Sequence, residues 1–257
     1  MTTMPTDGMT PPTMPPADYP VRLTVDYFDG PRNRLTVFFR LFMLIPIYAV
    51  YALLVGASVR AGFIGGTIGL FGATSVMILF RQKYPRWWFD FMLEVARFAT
   101  RIGAYALLWR DEYPSTDETQ AVHLDMDYPD ATKLGRWMPL VKLFLAIPHY
   151  WVLAVLSLAS GLATLLGWFA ILFTGRYPRS LFDFTVGVQH YGLCVAAYAL
   201  YLVTDRYPPF SLARPQGSAG TALVIAAVVV TVLGLFLWVA LFAAMVASGG
   251  PRGGMYY

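Results

Sequence analysis

The sequence is poor in cysteine, histidine and charge. A single cysteine, Cys194, excludes an internal disulfide and any cysteine-based metal cluster. The three histidines, His123, His149 and His190, form no pair at helical metal-ligand spacing, and no HExxH pattern occurs. GxSxG, Walker A and GxGxxG are missing too. Charged residues make up 13% of the chain, against about 25% in a typical soluble domain. The first 20 residues contain no basic residue and no apolar core, so they read as neither a secretory signal nor a transit peptide. Residues 1–18, rich in Pro, Thr and Met, are expected to be a disordered tail.

What fills the chain instead is apolar. Hydrophobic residues account for 57% and the mean hydropathy is +0.54, which places the sequence in the membrane class. The net charge of +4 is small and implies no nucleic-acid partner.

One phrase is written twice. Tyr84-Pro85-Arg86-Trp87-Trp88-Phe89-Asp90-Phe91 returns 93 residues later as Tyr177-Pro178-Arg179-Ser180-Leu181-Phe182-Asp183-Phe184. Further matches keep the same order: residues 21–27 with 122–128, Arg40 to Pro46 with Lys142 to Pro148, 104–107 with 197–200, and 110–114 with 204–208. An ordered self-match of this length indicates a tandem duplication, with units at 19–115 and 120–210.

Each unit opens with an alternating segment. Val21, Leu23 and Val25 share one face, as do Val122, Leu124 and Met126, which is the period of a strand. Two apolar runs follow, 36–57 and 61–80 in the first unit, 137–158 and 159–174 in the second. They approach or exceed the length needed to cross a hydrocarbon core about 30 Å thick. Pro46 and Pro148 put a kink in each first run. The third segment of unit one carries Asp90, Glu94, Arg97 and Arg101 on a single helical face. Such a helix is expected to lie in the membrane interface, with its charges in water. The equivalent positions of unit two are Asp183, Gly187, His190 and Cys194.

Two spans and one in-plane helix per unit make the units parallel. A last apolar stretch, 222–247, then crosses once more, after a linker at 211–221 and before a tail at 248–257. Of the 19 basic residues only Arg60 and Arg252 fall on the far side in this arrangement, and all 15 acids stay on the near side. By the positive-inside rule the charged side and the N-terminus are cytoplasmic. The expected fold is therefore an all-α polytopic membrane protein of two parallel repeats, each preceded by a short strand, plus one C-terminal membrane helix. The two strands are expected to form a small β cap over the cytoplasmic helix ends. The twice-written phrase is expected at the interface, its arginine snorkelling to lipid phosphate and its tyrosine in the headgroup belt.

The phrase Phe173-Thr174-Gly175-Arg176-Tyr177-Pro178, the helix after it with Tyr191, and Asp205-Arg206-Tyr207-Pro208-Pro209-Phe210 resemble the bacterial membrane family known as domain of unknown function 4389. The resemblance covers about 19–212. Unit one departs from it, with Phe80-Arg81-Gln82-Lys83 lacking the Thr-Gly pair and Asp111-Glu112-Tyr113-Pro114-Ser115 lacking the Pro-Phe ending. The resemblance implies architecture and a bacterial cell membrane, and no mechanism.

Candidate site residues follow from placement. Arg40 and Lys142 stand at equivalent places, six residues before each kink proline, and are expected to snorkel to phosphates. Arg86, Arg97, Arg101, Arg176 and Arg179 are the other candidates for lipid contact. His149 and His190 are weaker ligand candidates; no cofactor, metal or catalytic set is indicated. The expected role is that of an integral membrane scaffold or accessory subunit, bound to lipid, anionic lipid included, and to a larger membrane complex or its own copies. The alternative is a small transporter or lipid-handling protein with a site between the two units.

Overall fold

The computed structural model describes residues 19–55, 62–116, 118 and 120–212. The expected tail 1–18, the C-terminal membrane helix 222–247, the tail 248–257, Arg60, Arg252 and all but the first two residues of the 211–221 linker lie outside the described residues.

The described chain is mostly helical, with one small sheet. Its elements are β1 (Val21–Val25), α1 (Arg34–Val55), α2 (Gly62–Arg81), α3 (Arg86–Ala106), β2 (Val122–Met126), α4 (Met138–Leu145), α5 (Ile147–Thr174) and α6 (Arg179–Ala199). Local chemistry sets several boundaries. The side chain of Asn33 accepts the N–H groups of Leu35 (3.0 Å) and Thr36 (3.4 Å), capping α1. Pro85 and Pro178 stand just before α3 and α6 in extended conformation, where a missing N–H costs nothing. Gly175 ends α5 at φ 75°, and its N–H returns to the Ile171 carbonyl at 2.8 Å.

Two expectations change. In unit two the runs 137–158 and 159–174 are not a helical hairpin: α5 passes through residue 158 without a break and is about 42 Å long at 1.5 Å per residue. Gly161 is the one breaker nearby, and a single glycine costs a helix only about 1 kcal/mol. The break falls instead at Ala146, with Pro148 in the first turn of α5. Pro46, its counterpart, lies inside an unbroken α1.

The two strands pair with each other, but their sheet lies along α3 and α6 and not over the helix ends. β1 and β2 are antiparallel, with Leu23 opposite Leu124, Val21 opposite Met126 and Val25 opposite Val122. The inward residues of both strands are buried. The sheet rests on α3 and α6, with β1 against α6 and β2 against α3. On the far side, α1 packs against α3 and α5 against α6.

Both middle helices are therefore covered on opposite faces. On α3, Val95, Phe98, Ile102 and Tyr105 meet α1, while Phe89, Leu93 and Ala96 join the core under the sheet. At 100° per residue these stripes are about 180° apart. On α6, Val188, Tyr191 and Val195 meet α5, while Phe182, Val186 and Leu193 join the core under the sheet. The result is three layers: sheet, α3 with α6, and α1 with α5.

Contacts between the units come in pairs. The Tyr27 hydroxyl donates to the Tyr177 carbonyl (2.6 Å), and the Tyr128 hydroxyl donates to the Tyr84 carbonyl (2.5 Å). The Tyr27 ring meets Phe182 edge-on at 5.1 Å, and Tyr128 meets Phe89 at 5.2 Å. The Arg179 guanidinium lies 5.3 Å from the Tyr27 ring, and Arg86 lies 5.1 Å from Tyr128. Each pair of contacts joins residues that stand at equivalent places in the sequence, with the units exchanged.

Candidate functional site

Two features stand out: an uncovered apolar face and a pair of buried charge sites. The apolar face belongs to the outer layer. The buried residues of α1 (Val37, Arg40, Leu44, Ile47, Tyr51, Val55) form one stripe, as do those of α5. The rest is exposed and hydrophobic, with Leu41 74%, Leu53 79%, Leu158 71% and Phe173 78% accessible. Among the described residues α1 and α5 are the two helices long and apolar enough to cross a membrane, and 28% of each apolar window is buried. On the opposite side of the molecule the sheet is charged. Arg22 bridges Asp125 (2.9 Å) and Asp127 (2.5 Å), and Arg97 bridges Glu94 (2.6 Å) and reaches Asp125 (3.5 Å).

The charge sites are Arg40, in the second turn of α1, and Lys142, in the last turn of α4. Arg40 and Lys142 were expected at lipid phosphates; the structure buries both. Their side chains are 2% and 1% exposed. Arg40 pairs with Asp111, donates to the Tyr105 carbonyl at 3.0 Å and sits 4.4 Å from the Tyr105 ring. Lys142 pairs with Asp205 at 2.7 Å, donates to the Thr204 carbonyl at 2.8 Å and sits 5.1 Å from the Tyr198 ring. Each carboxylate comes from the loop after the third helix of the same unit, so the pair clamps the unit's beginning to its end. A tight turn brings the aspartate round: Leu108 (φ 64°) and Leu202 (φ 55°) adopt the left-handed conformation although each is a buried leucine. That conformation costs a non-glycine residue roughly 1–2 kcal/mol, so packing holds both turns.

The first clamp carries a third member. Arg32, fully buried, bonds the same Asp111 oxygen at 3.0 Å and the Trp109 carbonyl at 2.6 Å. In the second unit the place of that cation is taken by the Gly135 N–H, which donates to Asp205 at 2.8 Å. The sequence reading missed Asp111, Asp205 and Arg32. The signal was present: an aspartate precedes Tyr-Pro in both units, as a base precedes Ile-Pro, and an acid and a base that recur together are candidates for a pair.

The other candidates divide. Arg86 and Arg179 are 72% and 73% exposed, each near an aspartate one helical turn on, at 3.9 Å. Arg176 is exposed as well. Arg86 and Arg179 also lie over the Tyr128 and Tyr27 rings. Arg97 and Arg101 turn inward: besides its ion pairs Arg97 donates to the Leu124 carbonyl (2.8 Å), and Arg101 donates to the Ser115 carbonyl (2.8 Å). They tie α3 to β2 and the loop before it. Tyr84 and Tyr177 are buried at 3% and 1% exposure, not set in a headgroup belt.

The two histidines stay apart. His149 bonds the Tyr191 hydroxyl through Nδ1 (2.5 Å) and stacks on Phe210 at 4.1 Å. His190 Nε2 lies 3.9 Å from Cys194 Sγ, whose buried thiol is pushed up to about 12 by loss of solvent. Among the described residues no group of three or more His, Cys, Asp or Glu is placed to hold a metal.

No curated protein and no solved structure matches the chain. The resemblance expected over about 19–212 is met in the second unit: residues 136–211, from just before α4 to the loop that carries Asp205, match the family described as Domain of unknown function (DUF4389).

Proposed function

We propose that this chain is a membrane scaffold or accessory component, built of two duplicated parallel units and seated in one leaflet, with its sheet facing water. The single observation behind this reading is the opposition of the two outer layers, one apolar and one charged, across α3 and α6. Strand, middle helix and outer helix run alongside one another. Tyr19 bonds the Cys194 carbonyl at one end, and Tyr27 meets Phe182 at the other. Likewise His149 of α5 meets Tyr191, while Tyr177 lies against Gly167. If α5 crossed the bilayer upright, the sheet would share its depth. Arg22, Arg97, Glu94, Asp125 and Asp127 would then enter hydrocarbon, where a charged residue costs about 2.5–3.5 kcal/mol on insertion scales. Lying flat, α1 and α5 are each about 10–12 Å thick and fit within half of a core about 30 Å deep. Arg86, Arg176 and Arg179, with the exposed Trp87 and Trp137, then stand at headgroup level, where basic and aromatic side chains are favoured.

The proposed leaflet is the cytoplasmic one of a bacterial cell membrane, with the 222–247 stretch as a crossing anchor; basic residues on the near side and the family resemblance support this. Partner proteins would meet the charged sheet, and no catalysis is assigned. Labelling of the two ends of α5 tests the seating. In a Cys194→Ser background, Ile147→Cys and Thr174→Cys are treated with a membrane-impermeant maleimide in right-side-out and inverted vesicles. Both sites are expected to react from the same side. Reaction from opposite sides would restore an upright α5. Co-purification in mild detergent, with mass-spectrometric identification of bound proteins, tests the scaffold role; a chain that returns alone would remove it. The lipid-handling alternative is favoured by one observation, a cavity between the units.

A further inference from the structure

The space between α1 and α5 is not filled. A cavity of about 290 Å³ lies there, bounded by Val37, Arg40 and Leu41 of α1 and by Gly161, Leu165 and Trp168 of α5. Leu41 and Leu165 are exposed, so it opens on the apolar face; Val37 and Arg40 are buried, so it ends on a charge. Its volume is just below the about 300–1,000 Å³ usual for small-ligand sites. That is room for part of one hydrocarbon chain and too little for a diacyl lipid.

The charge at its end is in excess. Arg32 and Arg40 share one carboxylate oxygen of Asp111. Among the described residues no second acid forms an ion pair with either guanidinium. One negative group therefore faces two buried positive ones. Arg40 Nε is also buried and has no hydrogen-bond partner. A surplus buried charge with an unused donor is unfavourable unless an anion or water meets it. The equivalent place in unit two has no surplus, since Lys142 and Asp205 match one to one.

We propose that this cavity binds a single-chain anionic amphiphile, its chain between α1 and α5 and its anionic oxygens toward Arg40. A fatty carboxylate and an alkyl phosphate share this chemistry. The inference rests on the membrane-seated reading, because the chain would enter from the leaflet.

Native mass spectrometry of the full chain, released from a non-ionic detergent after incubation with oleate, dodecyl phosphate or oleyl alcohol, tests the proposal. One oleate or one dodecyl phosphate is expected per chain, with oleyl alcohol retained at least about tenfold less, as a lost charge-assisted hydrogen bond implies. The preferred anion tells a carboxylate ligand from a phosphate one. Gly161→Leu places a larger side chain in the cavity lining, where a Cβ meets nothing within 4 Å. It is expected to melt like the parent and to lose retention of both anions. Equal retention of oleate and oleyl alcohol by the parent chain overturns the proposal, and so does undiminished retention by a folded Gly161→Leu. If that variant does not fold, Leu165→Trp and the parent chain's discrimination between charged and neutral heads decide. Labelling of the α5 ends does not depend on the cavity, so failure here leaves the membrane seating standing, and the reverse failure is separately visible.

Discussion

The two clamps solve one problem with different charges. In the first unit Asp111 faces two guanidiniums; in the second Asp205 faces one ammonium and one backbone N–H. Geometry is kept, since base, carboxylate and aromatic ring recur at equivalent places. Charge balance is not kept. The second clamp matches one base to one acid, whereas the first carries a positive remainder beside an open cavity. Where two copies of one device differ, the copy with the unmet requirement is the better candidate for binding.

Removing the carboxylates breaks the comparison hardest. Asp111→Asn leaves two buried guanidiniums without a counter-charge, and Asp205→Asn leaves one ammonium. Loss of one partner of a buried pair costs about 3–5 kcal/mol. Contact with solvent, about a third of each carboxylate, should put Asp205→Asn at or below the lower end of that range. Asp111→Asn should cost more, read as the larger fall in the midpoint of denaturant unfolding in detergent. Equal falls would show that Arg32 contributes nothing to the first clamp. The crossed tyrosines should respond alike: Tyr27→Phe and Tyr128→Phe each lose one hydrogen bond, worth about 1 kcal/mol. A gap beyond about 0.5 kcal/mol between them would mean that the exchange between units is lopsided. The smallest change concerns the helix ends. Gln82 holds φ 44° where its counterpart is Gly175 at φ 75°. Gln82→Gly should gain about 1 kcal/mol by relieving the backbone, and Gly175→Gln should lose about as much. The same unfolding measurement reads both, and a loss for Gln82→Gly would show that the Gln82 side chain matters more than its backbone.

Local features were legible in the sequence. Alternation is a two-residue property, so Val21, Leu23, Val25 and their counterparts could be assigned to a buried face at once, and α1 and α2 lie within two residues of their apolar runs. Features that depend on distant partners were not. Nothing near Arg40 announces Asp111, 71 residues on, and only the recurrence of both in the second unit hints at the pair. Helix α3 was read as having one lipid face and one wet face, yet its four charges fall within about 60°, a sixth of its circumference, which leaves room for two buried faces. The continuous α5 was hidden because two hydrophobic runs laid end to end have the same composition as one long helix.

The placement of the strands has a consequence for the half-molecule. Each strand lies on the other unit's third helix, and each Tyr27-type hydroxyl reaches the other unit's Tyr-Pro turn. A chain ending near residue 115 would carry one unmated strand and one bare helix flank. A second identical chain would supply both, because Leu23 faces its own counterpart at the middle of the ladder. Such a half is expected to form a strand-exchanged homodimer in detergent, and residues 116–121 then amount to a tether that turns a bimolecular association into an intramolecular one. Lengthening that tether should be tolerated, since closing a loop twice as long costs only about 0.6 kcal/mol.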